Sequence, residues 1–259
     1  MVTSCAMRDR RSAIVLCILV TVIGTACGGA SDLPPKPLSR HFDDVYIAQV
    51  PLAEKQSMLE AQNEYSLAKQ EKLKAEADLK TSATELEVAR NERQATLLDE
   101  KSASSRKRAA VDSGDQNRVN SASREVRAAE LSRRAADAKV EWLDAHRAYL
   151  KRQVRYTEEN TYAKEARFEL AKARIARSND IKPKDFDLEA YERQATERGR
   201  RAQEAHARAQ RDKQAADGKR KHWQQQRREA DKMGAPDTVG PTSVTGTGDG
   251  DGGAGSSPE

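Results

Sequence analysis

Between residues 44 and 232 the chain contains only two prolines, Pro51 and Pro183, and three glycines, Gly114, Gly199 and Gly218. So few helix breakers over so long a stretch leave long helices as the main way to fold it. Two clusters carry turn chemistry. One is Asp112-Ser113-Gly114-Asp115, and the other runs from Ser178 through Asn179 and Asp180 to Pro183. They cut the body into segments of about 45–112, 116–178 and 186–232.

The middle segment shows what such helices pack with. At alternating steps of three and four it reads Val119, Ala122, Val126, Ala129, Arg133, Ala136, Val140, Leu143, Arg147, Leu150, Val154 and Thr157, then Thr161, Lys164, Phe168, Ala171 and Ile175. An apolar seam sustained over that many heptads is a coiled-coil pattern. The third segment keeps the spacing with a mostly alanine seam: Leu188, Tyr191, Ala195, Arg198, Ala202, Ala205, Ala209, Asp212, Ala216, Lys219 and Trp223. In the first segment the pattern divides. Val45, Ala48, Leu52 and Leu59 set one register, and Ala75, Leu79, Leu86, Ala89 and Leu97 set another, which predicts a local change of supercoil between them.

The predicted fold class is all-α: a long antiparallel coiled-coil helical hairpin, closed at the Ser-Gly-Asp break, with a third helix. The third helix either folds back on the hairpin or pairs with another subunit, because alanine alone buries little area. Composition agrees with this class. Charged residues make up 34% of the chain and aromatics 4%, too few large rings for a broad globular core. The 46 basic and 41 acidic residues are interleaved and leave a formal charge of +5, as on solvated helix faces. Residues 233–259 are rich in Gly, Ser, Thr and Asp without periodicity, a composition that predicts a disordered tail.

The N-terminus is built differently. Met7-Arg8-Asp9-Arg10-Arg11 is a short basic region, with Met7 as an alternative start, and an apolar run follows it to Gly24. Together they form the n- and h-regions of a signal peptide spanning 1–26. The sequence Gly24-Thr25-Ala26-Cys27-Gly28 resembles the lipobox of bacterial lipoprotein precursors, with Gly24 where that family usually has Leu. The resemblance covers about the first thirty residues. It implies that Cys27 becomes the first mature residue and carries a diacylglycerol thioether and an N-acyl chain (palmitate class). The protein would then be held in the cell envelope. Gly28 after the cysteine implies the outer membrane, facing the periplasm, with inner-membrane anchoring or a soluble periplasmic form as alternatives. Residues 27–43, with Pro34, Pro35 and Pro37, then read as a tether ahead of the body at 44–232.

Little in the chain suggests catalysis or a cofactor beyond that covalent lipid. His41, His146, His206 and His222 are not spaced as metal ligands, and no metal site is expected. Gly248-Asp249-Gly250-Asp251-Gly252-Gly253 matches GxGxxG in form only, without the strand and helix that a phosphate loop requires. The chain therefore reads as a non-enzyme. Three basic clusters remain as candidate contacts for an anionic partner. Arg106, Lys107 and Arg108 lie near the hairpin tip, Arg200 and Arg201 lie on the third helix, and Lys219, Arg220 and Lys221 lie further along it. In an exported protein they point to lipid head groups, lipopolysaccharide or cell-wall polymer. Nucleic acid is not an expected partner, since a cytosolic nucleic-acid-binding coiled coil requires the signal segment to be spurious. The leading expectation is a membrane-anchored periplasmic scaffold or interaction module, with an envelope protein or a second copy as partner. Binding of an anionic envelope polymer is the alternative.

Overall fold

A computed structural model describes residues 34–184 and 186–234. Cys27, the signal segment and the tail beyond Gly234 lie outside the described residues. The chain divides into two units between Lys36 and Pro37, and the second holds every element below. In order these are α1 (Asp44–Ala48), a 3-10 turn (Leu52–Lys55), α2 (Gln56–Asp112), α3 (Gln116–Ser178) and α4 (Leu188–Lys232). No strand occurs among the described residues.

Helix α2 has 57 residues, α3 has 63 and α4 has 45. At 1.5 Å per residue they are about 85, 95 and 70 Å long. The first predicted helix is interrupted at Pro51, which lacks an amide donor and starts the 3-10 turn that leads into α2. The turn after α2 is made by Gly114 at φ +72, a left-handed conformation open to glycine. Its amide reaches the Val111 carbonyl. Asp115 then caps α3 by accepting from the amides of Asn117 and Arg118. The turn after α3 is similar but uses Asp180, at φ 57, where the first uses glycine. The Ile181 amide donates to the Ala176 carbonyl at 2.8 Å, and the Ile181 side chain packs on the neighbouring apolar cluster. Asp187 caps α4 through the Ala190 amide.

Both helix pairs are antiparallel. Along α2 the cross-links Glu64–Lys164, Lys72–Glu158, Arg93–Asp137 and Arg106–Glu125 meet falling numbers on α3. From α3 to α4 the order Trp142–Trp223, Arg152–Asp212, Tyr156–His206 and Arg174–Glu192 reverses in the same way. The third helix thus folds back on its own chain.

The contacts that set the spacing come from small residues. In α2 the residues Ala68, Ala75, Ser82, Ala89, Thr96, Ala103 and Ala110 are all buried, each seven after the last. This single unbroken ladder replaces the register change expected in the first segment. The expectation leaned on leucines, of which Leu52 and Leu59 are exposed, while the repeating signal was small residues. Close approach follows from it: the Thr161 hydroxyl donates across the seam to the Ala68 backbone carbonyl at 3.2 Å. In α4 the ladder is Ala195, Ala202, Ala209 and Ala216.

Helix α3 therefore carries two seams. Val140, Leu143, Leu150, Thr157 and Phe168 belong to the seam read from sequence and face α2, where Val140 and Leu143 meet Leu86 and Ala89. A second series, Trp142, Tyr149, Tyr156, Ala163 and Leu170, also at steps of seven, faces α4. With 3.5 residues per turn the two seams lie about 130° apart around α3. α2 and α4 accordingly both pack on α3 with no extensive contact between them. The result is an open array with α3 in the middle.

Overpacking a ladder should push the helices apart. Ala89→Leu and Ala209→Leu, at positions that are 1% and 0% exposed, are each expected to destabilise by about 1–3 kcal/mol. Leu98→Ala, on an exposed face, should change stability by less than about 0.5 kcal/mol. Urea unfolding followed by circular dichroism measures both.

Candidate interaction surfaces

One end of the array, where α3 ends and α4 begins, is where the chain departs most from plain coiled coil. The segment from Pro37 to Val50 lies across α3 and α4 as a strap. Residues 38–43 of the expected tether at 27–43 are therefore packed on the helices. Leu38, Phe42, Ile47 and Val50 are buried with Leu170, Ile175, Ala173 and Tyr191 in the largest apolar cluster. Phe42 packs edge-on to Phe186 and tilts against Tyr191, with ring centroids about 6 Å apart.

The strap backbone is held mainly by side chains. Gln194 accepts from the amides of Ser39 and Arg40 through Oε1 and donates through Nε2 to the Arg40 carbonyl. Tyr191 donates its hydroxyl to the His41 carbonyl at 3.1 Å. Glu169 accepts from the Phe42 amide, and Arg198 donates to the Pro37 carbonyl while stacking on Tyr162. An extended segment has no internal ladder for its polar groups, so these side chains supply the partners that burial demands. Sequence reading missed them because Gln194, Glu169 and Tyr191 look like ordinary helix residues, and their partners lie more than 120 positions away.

Lys172 and Glu169, one turn apart on α3, form the charged centre of this region. Lys172 is 4% exposed and bonds Glu169 at 3.0 Å and Asp44 at 2.7 Å. Burial acts to lower the lysine pKa, but the hydrogen bonds to Asp44 and Glu169 outweigh it and hold the pKa above its ordinary value.

Of the eight cationic residues expected from sequence, Arg201 lies beside Ser39 and Arg40 of the strap, and four are ion-paired within the chain. Arg106 bonds Glu125 at 3.0 Å, Arg200 bonds Glu204, and Arg201 bonds Glu197. Lys219 reaches Glu141 on α3 at 2.6 Å, which holds that carboxyl below its usual range. Arg220 lies over the Trp142 ring. Lys107 is half-buried, and Arg108 and Lys221 are exposed. The structure thus does not gather these eight residues into one surface. Among the described residues no cluster of His, Cys, Asp and Glu is placed to hold a metal, and no helix is long and apolar enough to cross a membrane.

Phe42→Ala is expected to cost about 3 kcal/mol and to free the strap. Limited proteolysis should then cut between residues 37 and 50 before it cuts the long helices. The pH dependence follows from Lys172. A raised folded pKa makes its contribution full below the unfolded value of 10.5 and lost as pH rises through the folded value. The melting-temperature difference between wild type and Lys172→Met should be constant from about pH 6 to pH 9 and narrow above about pH 11.

No protein-family model, curated protein or solved structure matches the chain.

Proposed function

We propose that this chain is a lipid-anchored, non-catalytic scaffold of the bacterial cell envelope, acylated at Cys27 and presenting its helices to an envelope protein or a second copy. The observation that carries the reading is the combination in one chain of a lipobox-like Gly24-Thr25-Ala26-Cys27 and a body made of three long helices joined by alanine ladders. Helices of this kind extend a surface over distances near 90 Å at small cost in sequence. Many of their charges are paired with i,i+4 or cross-helix partners, which suits a soluble spacer. The acyl chains would fix one end, since two or more chains give stable membrane anchoring.

The strap supports the same reading. It ties the chain just beyond the proline-rich stretch to both α3 and α4. A pull on the anchor would reach two helices at once.

Cys27→Ser tests the anchor. Cells fed a labelled palmitate analogue should label the wild-type protein and not the variant. The variant should also move from the membrane to the soluble fraction; continued labelling would exclude acylation at Cys27. For the scaffold role, crosslinking in intact cells is expected to recover a protein partner or a dimer of the chain with the wild type.

A further inference from the structure

On the side of α3 opposite the strap, α3 and α4 form a groove of 630 Å³ close to the start of α2. Three guanidinium groups line it: Arg167 and Arg174, two turns apart on α3, and Arg200 on α4. Ser57, Thr196 and Gln203 add neutral hydrogen-bonding groups, and Leu170, Ala171 and Ala195 supply apolar lining. No carboxylate lines the groove. That exception is informative in a chain whose charges otherwise alternate in sign and pair locally.

Position explains how the cluster arises. Arg167 and Arg174 fall between the two seams of α3, on the side away from Glu169 and Lys172, so neither is used in helix packing. Arg174 is bonded by Glu192 at 3.0 Å and Arg200 by Glu204 at 2.5 Å, but neither carboxylate lines the groove. Arg167 is exposed and forms no ion pair among the described residues, although its charge lowers the pKa of Glu64 together with the bond from Lys164. Gly199 in the same wall would meet nothing within 4 Å with a Cβ added, so the space beside these arginines is open.

We infer that this groove binds a phosphate ester, with Arg167 as the principal contact and Arg174 and Arg200 closing on the same oxyanion. Guanidinium groups match phosphate oxygens in paired hydrogen bonds, and a site without carboxylates does not oppose the ligand's charge. Hydroxyl and amide donors from Ser57, Thr196 and Gln203 serve the remaining oxygens. The apolar lining favours an ester with a carbon chain over a bare ion. The site depends on helix geometry alone and not on acylation at Cys27, so the two fail separately.

Full-length protein in neutral detergent is titrated calorimetrically with inorganic phosphate, with glycerol 3-phosphate and with soluble dihexanoyl phosphatidylglycerol. Binding of at least one ester is expected, weakened about tenfold by Arg167→Gln and unchanged by Arg108→Gln at the hairpin tip. Stronger binding of the phosphatidylglycerol than of glycerol 3-phosphate assigns the site to lipid head groups; equal binding assigns it to soluble phosphate esters. Absence of binding to all three overturns the inference. So does an equal loss in Arg167→Gln and Arg108→Gln, which marks binding by general charge. Arg167 lies outside both seams, and matching thermal melts of wild type and Arg167→Gln verify that the variant is folded.

Discussion

The close approach of α3 to both of its neighbours is the condition on which the rest of this structure stands. Small residues at every seventh position make it possible. Ala68 to Ala110 on α2 and Ala195 to Ala216 on α4 present little more than a methyl or hydroxyl group to the facing helix. Each buries little area, but backbones brought this near gain dispersion contacts along their whole length. Large residues are then needed only at intervals. Leu86 with Leu143, Tyr65 stacked on Phe168, and Trp142 stacked on Trp223 at 4.8 Å supply them.

Using α3 twice has a structural consequence. Its two seams lie on different sides of the helix, so α2 and α4 flank it and the array keeps two open sides. The strap covers part of one side with an apolar cluster and a set of backbone-directed hydrogen bonds. The arginine-lined groove occupies the other. The same end of the array is therefore sealed on one side and cationic on the other. A closed three-helix bundle would have buried the positions that make both features.

Electrostatics plays a subordinate part elsewhere. Most cross-links are partly exposed pairs, such as Arg90–Asp144 and Arg93–Asp137, whose individual worth is small and screened by salt. Their value is in register. A ladder of alanines slides more readily than one of interlocking leucines, and charged pairs at intervals along α2 and α3 disfavour a shifted alignment. The Lys172–Glu169–Asp44 group differs because two of its members are buried, and separating them leaves an uncompensated charge in the cluster.

Local signals in the sequence were enough for the helices and turns. The scarcity of proline and glycine, the Gly114 and Asn179-Asp180 turns and the heptad seams of α3 and α4 are properties of neighbouring residues, and they place three long helices and an antiparallel hairpin. Several features were out of reach of such signals. The α2 ladder was hidden because alanine, serine and threonine carry little hydrophobic contrast against a charged helix. The second seam of α3 was overlooked because Trp142, Tyr149 and Tyr156 sit among polar residues and acquire their meaning only when α4 lies against them. The strap partners and the arginine groove join residues that are distant in sequence, from Phe42 to Glu169 and from Ser57 to Arg200. The sequence by itself determined that this chain forms long alanine-rich helices that must pair, because periodicity is local. Only the tertiary structure decided that the third helix returns to the middle one, and which residues meet at the strap and the groove, because those meetings depend on how far apart and at what angle the packed helices lie.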